Sequence, residues 1–339
     1  MTAPGDDPLG WLETASTRRT SDIALGAVLL IAGGLALWLG TDYAMGTMRR
    51  LGPRAFPAAV ATLLCVVAIV LLLRAALGRS PGVRRSHPIF IAVVAAIIIL
   101  VYLAGQTAGK DILLRFGPAE FLSLLALELA LAVALAHSSR LRAGGMALFG
   151  LLLCTVGTDV NSGVLRFTMG IEGLTDGISV AILLVGLFAA GDALVCIGSP
   201  LLFLRTYTRL VTSWLAKRMP IGVDLAMRLV AAGALAGAVY FAYSLSHSYA
   251  DAFSLVIFGA FGAAGKILGW NRFLLFMGFS FGLMLEENIR RALLLTRGDL
   301  LPILERPISG AVFVAIGVVL AAALVHSGIR AARETRHRD

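Results

Sequence analysis

Apolar runs of about 17 to 25 residues recur along this chain, and runs of that length match the hydrocarbon thickness of a bilayer when coiled as helices. They lie at about 23–42, 56–77, 88–106, 119–138, 144–159, 175–197, 221–245, 252–269, 271–286 and 307–329. Ten such runs constrain the fold more than any local motif does. In lipid every backbone polar group must be satisfied within its own segment, so only helices or closed barrels cross a membrane. Continuous apolar runs, rather than alternating ones, select helices. The expected fold class is therefore all-α: a polytopic integral membrane protein with about 10 transmembrane helices and re-entrant segments as an option where runs are short.

Composition agrees and excludes other classes. Of 339 residues, 58% are hydrophobic and only 14% charged. The net charge of +9 would point to nucleic acid in a soluble protein. Here the arginines sit mainly between the apolar runs, where the positive-inside rule places them, and no basic face is interleaved with aromatics. No nucleic-acid partner is expected. The cysteines, Cys65, Cys154 and Cys196, fall in or beside apolar runs and fit no metal or disulfide spacing. No metal site and no cofactor are expected, and no catalytic constellation supports an intramembrane enzyme. The first twenty residues are polar, carry Asp6, Asp7 and Glu13, and lack the form of a cleavable signal. Arg18 and Arg19 before the first run favour a cytoplasmic N-terminus.

Between the fifth and sixth runs lies a Gly- and polar-rich segment holding Asp159, Asn161, Ser162, Arg166, Glu172 and Asp176. Such a segment cannot face lipid. It belongs in an aqueous loop or in a protein-lined cavity, which makes it the leading candidate for contact with a polar solute. The same composition also fits an ordinary extramembrane loop. Glu128 sits mid-span, within the fourth run. A carboxyl there faces protein or water and serves either as an ion-coupling group or as a neutral, hydrogen-bonded structural group. If the ninth helix continues past Leu285, Glu286 faces Arg290 and Glu287 faces Arg291 one turn on, in the favourable order of acid before base. That pattern fits a charged helix end as well as a buried functional network.

The turn between the first two runs reads Gly46-Thr-Met-Arg-Arg-Leu-Gly-Pro-Arg-Ala-Phe-Pro57. Its prolines stop helix propagation, and Arg49, Arg50 and Arg54 crowd the membrane face. They serve as simple anchors or as a docking surface for a partner subunit or an anionic headgroup. The expected organisation is a disordered polar leader (1–21), membrane regions at 22–110 and 111–197, a basic amphipathic interfacial segment (198–220), a third membrane region (221–329) and a basic tail (330–339).

Several of these motifs carry a family resemblance. Phe116-Gly-Pro-Ala-Glu120, Gly150 through Asp159, Ser162-Gly163, Arg166-Phe-Thr168 and Asp176-Gly-Ile178 resemble the large permease subunit, TctA, of tripartite tricarboxylate transporters. So do Glu286-Glu-Asn288, Arg290-Arg-Ala-Leu293, Gly298-Asp299 and Arg306-Pro-Ile-Ser309 near the far end. The front is similar to the small subunit, TctB, whose hallmark hairpin is like residues 46–57. The large subunit is much longer, and its Pro-Gly-rich loops have no counterpart here. The chain thus looks like a small-subunit-like part (22–110) joined to a shortened large-permease-like part.

The resemblance implies a bacterial inner-membrane component of a secondary transporter that takes up carboxylates with an ion gradient. It further implies a periplasmic solute-binding receptor and other permease subunits as partners within the lipid bilayer. The implied substrate-binding residues are Asp159, Asn161, Ser162, Arg166, Glu286, Asn288 and Arg290. The missing loops favour an alternative, a non-transporting subunit that scaffolds or regulates a full-length permease.

Overall fold

The computed structural model describes residues 15–78, 117–136, 139–199, 221–246 and 248–318. The expected third span (88–106), the interfacial segment (198–220) except its first two residues, and the leader up to residue 14 lie outside the described residues. So do the basic tail and nearly half of the tenth span, residues 319–329.

Helices dominate. In chain order they are α1 (Ala15–Leu39), α2 (Ala55–Ala76), α3 (Pro118–Leu135), α4 (Arg140–Leu153), α5 (Val180–Leu184), α6 (Gly191–Gly198), α7 (Ile221–Ser246), α8 (Tyr249–Leu268), α9 (Arg272–Leu295), α10 (Leu301–Glu305) and α11 (Pro307–Val318). A π-helical stretch, Val185–Ala190, joins α5 to α6 without a break. Among the described residues there are also two minimal antiparallel ladders: β1 (Gly46–Thr47) with β2 (Arg50–Leu51), and β3 (Gly157–Thr158) with β4 (Leu165–Arg166). Among the described residues, six helical stretches are long and apolar enough to cross a membrane. The protein is an all-α, multi-pass membrane protein, as its apolar runs dictate.

Three span boundaries need correction. The fifth run was expected at 144–159, but α4 begins at Arg140, capped by the Ser139 side chain, and ends at Leu153. At about 21 Å it is shorter than the roughly 30 Å hydrocarbon core. Gly157 and Thr158 leave the helix because they pair with β4. The sixth run, expected from 175, becomes helical only at Val180, since Thr175 and Gly177 close turns on the preceding segment. The ninth run, expected to end at 286, continues as helix to Leu295.

Polar contacts fix which helix ends lie together. At one end, the Ser21 hydroxyl donates to the Leu268 carbonyl (2.7 Å), and Asp22 pairs with Arg142 (2.6 Å). Asp192 pairs there with Lys266 and Arg272, each at 3.0 Å, and Arg228 donates to the Ile197 carbonyl (3.0 Å). This end gathers the starts of α1, α4, α7 and α9 and the ends of α6 and α8. The opposite end gathers the β1–β2 turn, the β3–β4 segment, the start of α3 and the C-terminal turns of α9. There Glu120 caps the start of α3 by accepting from the Gly117 amide (2.8 Å) and from Arg306 (3.2 Å).

Lipid is as apolar as leucine, so helix association inside a membrane depends on close packing rather than on hydrophobic burial. The α4–α9 contact is the closest example. A Cβ on Gly150 would stand 2.1 Å from the Leu275 carbonyl oxygen, and one on Gly278 would stand 2.1 Å from that of Ala147. Only glycine lets these backbones meet. Around this seam Met146, Ala147, Leu151, Leu274, Leu275 and Phe279 form part of the main buried core, with Leu25, Leu29, Leu64 and Leu71 from the α1–α2 pair. Gly150→Val should therefore separate α4 from α9 at a cost of more than about 2 kcal/mol. Thermal unfolding of the detergent-solubilised protein checks this, and an unchanged melting temperature would contradict the close contact.

Candidate functional site: a buried four-charge network at one end of the bundle

The site is assembled from three separate stretches of chain. The first is the segment after α4. Strands β3 and β4 pair Gly157 with Arg166 and Thr158 with Leu165. The turn between them is closed by Asp159 N–H to the Val164 carbonyl (2.9 Å) and Gly163 N–H to the Asp159 carbonyl (2.8 Å). The Ser162 hydroxyl donates to Asp159 Oδ2 (2.5 Å) and fixes that carboxylate. Thr158 ties the ladder to the following turn, donating from both its amide and its hydroxyl to the Thr175 carbonyl (2.9 and 2.8 Å). These short-range bonds place Asp159 and Arg166 side by side, both 2% exposed.

Helix α9 supplies the second stretch. Because it runs past Leu285, Glu286 and Arg290 lie one turn apart on one face, and both are buried. Arg166 grips Glu286 with two nitrogens, Nη1 to Oε1 at 2.7 Å and Nη2 to Oε2 at 3.3 Å. Arg290 Nη2 donates to the same Oε1 (2.5 Å), while its Nη1 donates to Asp159 Oδ2 (3.0 Å). Arg166 Nη2 also lies 3.8 Å from Asp159 Oδ1. Two carboxylates and two guanidiniums thus form a closed network with no net charge.

The third stretch is the β1–β2 turn. Its carbonyls at Gly52 and Pro53 accept from Arg290 Nη2 (3.5 Å) and Arg166 Nη1 (3.3 Å). A Cβ on Gly52 would fall 2.1 Å from the Ala44 carbonyl oxygen, so the turn can close only with glycine there. Tyr43 seals the same edge: its hydroxyl accepts from the Phe167 amide (3.1 Å), and the two rings meet edge to face at 5.8 Å. Phe167 adopts a left-handed backbone (φ 55°), uncommon for a bulky residue, which marks the chain reversal after Arg166 as held by its surroundings.

The other expected residues are distributed around this network. Asn161 and Ser162 lie on the exposed turn, next to a cleft. Asn288 does not join the network, because its amide donates back to the Met284 carbonyl (2.7 Å). Glu287 and Arg291 pair with each other on the exposed side of α9. Glu128 lies on the exposed face of α3, and no described residue pairs with it. Arg49 and Arg50 are exposed and border the cleft, while Arg54 donates to the Thr41 carbonyl (3.4 Å). That cleft, about 610 Å³, lies between the β1–β2 turn and the end of α9. Among the described residues there is no group of three His, Cys, Asp or Glu able to hold a metal ion.

Sequence reasoning missed the Gly52 and Pro53 carbonyls and Tyr43. Backbone acceptors carry no residue signature, and nothing in the local sequence links residue 53 to residue 166. It also missed the Asp22–Arg142 pair and the role of Lys266 at the other end.

The comparisons with known proteins come down on the same central stretch. Residues 89–206 match the model of the family described as "Tripartite tricarboxylate transporter TctA family". The match includes Glu128, Asp159, Asn161, Ser162 and Arg166, and excludes the 46–57 turn and all of α9. An uncharacterized 52.8 kDa protein in the TAR-I ttuC' 3' region of Agrobacterium vitis is 40% identical over 103 residues. That is 30% of this chain and 20% of the relative, so the chain aligns with about a fifth of the length of the curated relative it matches. No solved structure matches. Residues 89–206 thus match a family of transporters, not of enzymes.

Burial by itself pushes the Asp159 carboxyl up, but hydrogen bonds from Ser162 and Arg290 and the charges of Arg166 and Arg290 outweigh it and hold the group below its ordinary range. A carboxylate lowered in the folded state adds stability above its unfolded value, about 3.9, and loses it as pH falls through the lowered folded value. The parent protein should therefore lose melting temperature below about pH 4 more steeply than Asp159→Asn does. Removing one charge outright is worse, because it strands its partners. Arg290→Ala should cost about 3–5 kcal/mol at pH 7 by thermal unfolding.

Proposed function

We propose that this chain is a membrane subunit of a tripartite carboxylate transporter, with residues 22–110 acting as the small-subunit-like part. In this proposal it resides in the bacterial inner membrane with a cytoplasmic N-terminus, which puts the four-charge network on the periplasmic side. A solute-binding receptor delivers a carboxylate there, and an ion gradient drives its uptake. The observation that carries the proposal is that the stretch matching the TctA family contains Asp159 and Arg166, which are locked to Glu286 and Arg290 outside that stretch. A carboxylate has the right chemistry to exchange with Asp159 or Glu286 for a guanidinium, since bidentate arginine pairs recognise planar carboxylates. Asn161, Ser162 and Asn288 flank the path as neutral hydrogen-bonding groups. Glu128, mid-span in α3, is the candidate ion-coupling group.

A second proposal is a subunit that scaffolds or regulates a full-length permease. One specific feature favours it: all four buried charges already satisfy one another, and the β1–β2 turn covers them. A network of that kind can serve assembly without ever contacting solute.

Uptake of labelled citrate into proteoliposomes distinguishes the two. The full chain is supplied with its receptor and an imposed ion gradient. The transporter proposal expects gradient-dependent uptake that falls at least about tenfold in Arg166→Lys, which keeps the charge but loses the two-pronged geometry. Uptake that appears only after a full-length permease is added would establish the scaffold role instead.

A further inference from the structure

The carboxylates described above at the two ends of the bundle have cationic partners. Asp22 has Arg142, Asp192 has Lys266 and Arg272, and Asp159 and Glu286 share Arg166 and Arg290. Glu128 breaks this rule. It lies about 15 Å along the helix axis from Pro118, in a helix about 27 Å long. That is close to the middle of the span, too deep for its short side chain to reach water at either interface. Its neighbours one turn away on α3 are Leu124, Leu125, Leu131 and Ala132, whose side chains cannot hydrogen-bond. Glu128 is exposed, and no described residue pairs with it. Even a neutral carboxyl is costly against lipid, because its O–H and C=O are left without partners.

The face that carries Glu128 also has the pattern of a helix contact. Helix α3 buries Glu120, Ser123, Leu131 and Ala134 on its inner side. A separate stripe holds Phe121, Leu125, Glu128, Ala132 and Leu135, at alternate spacings of four and three residues. That repeat keeps one helix seam against another along its length. Phe121 and Glu128 are exposed and the other three are half-buried. Glu128 stands at the centre of the stripe with apolar side chains on both sides, so whatever covers this face must offer a hydrogen-bonding group at the same depth. No other acidic or basic residue at the middle of a described span is exposed.

We infer that this face is a contact between two copies of the chain within the membrane, with the two Glu128 carboxyls meeting across a two-fold axis. A protonated carboxyl carries one donor and free acceptor sites, so two of them satisfy each other through reciprocal hydrogen bonds. A two-fold interface uses the same patch on both copies, and a residue on the axis meets its own counterpart. The centre of the stripe is such a position, and the apolar flanks then pack on apolar flanks. Lipid supplies no hydrophobic drive between helices, so close packing and interhelical hydrogen bonds of this kind hold them together. A helix of different sequence would need a matched polar group at this depth, whereas a second copy brings one with it. The inference deepens the proposed function by setting the candidate ion-coupling carboxyl at a subunit contact. It rests on that reading only for the coupling role of Glu128.

The test measures association of the full chain in liposomes over a range of protein dilutions, by single-molecule photobleaching. The parent should dimerise. Glu128→Leu should weaken dimerisation about tenfold or more. Glu128→Gln keeps both a donor and an acceptor and should stay within about threefold of the parent. A second measurement leaves Glu128 in place. With Cys65, Cys154 and Cys196 replaced by alanine, Leu125→Cys should cross-link between copies, while Ser123→Cys on the buried side should not. A monomeric parent would overturn the inference, as would equal dimerisation of the parent and Glu128→Leu. So would a cross-link within one chain between Glu128→Cys and Tyr102→Cys, which would show that the expected third span covers this face. A Glu128→Gln protein that dimerises but loses gradient-driven uptake would support both the contact and the coupling role. Dimerisation that depends on Glu128 without any uptake would count against the transporter proposal alone. Uptake by a protein that stays monomeric would count against this contact alone.

Discussion

The double grip of Arg166 on Glu286 is the interaction on which this end of the protein depends. Neither charge is tolerable in a dry interior without the other, because desolvating an ion costs several kcal/mol that only close, well-oriented pairing offsets. Arg290, one turn along α9, shares Glu286 Oε1 with Arg166 and finds its second carboxylate in Asp159. The Gly52 and Pro53 carbonyls accept further bonds from Arg290 Nη2 and Arg166 Nη1. One pairing thereby fixes the ladder after α4, the rotation of α9 about its axis and the seat of the β1–β2 turn. The small-residue seam at Gly150 and Gly278 brings α4 and α9 close enough for this pairing to form.

The opposite end uses the same physics with different parts. Asp22 and Arg142 are both buried and pin the start of α1 to the start of α4. Asp192 serves two cations, Lys266 and Arg272, and the Leu187 carbonyl accepts from Arg272 at 2.8 Å. Leu187 lies within the π-helical turn between α5 and α6, where the regular helical hydrogen-bond ladder is interrupted. That irregular turn sits where a cation from another helix approaches the backbone. In both clusters, groups that would be intolerable alone in the membrane tie distant segments together.

Much of this was legible along the chain. The run Leu151 to Val156, followed by Gly157 and Asp159, announces that a helix gives way to a polar segment that lipid cannot cover. The order Glu286 then Arg290 announces an intrahelical pair if the helix continues. What was not legible was whether these two features belong together. Asp159 and Arg290 stand 131 positions apart, and no local pattern brings them within 3.0 Å. Asn288 shows the converse: it sits in the same motif as Glu286 and Arg290, but helical geometry turns it off their face and onto its own backbone. The end of α4 was misplaced by six residues because strand pairing of Gly157 and Thr158 overrides an apolar pattern that reads as continuous helix.

The sequence by itself determined that this is a multi-pass helical membrane protein. Twenty-residue apolar runs have few alternatives in lipid, where each backbone must close its own hydrogen bonds. It also determined which polar residues were too costly to leave unpartnered. Only the tertiary structure decided the partners. Pairing of buried charges is set by how helices approach and rotate against one another, and that depends on contacts such as Gly150 against Leu275 that join residues far apart in the chain. For the same reason, only the fold could bring the arginines of the β1–β2 turn opposite those of α9 and so form a cleft between them.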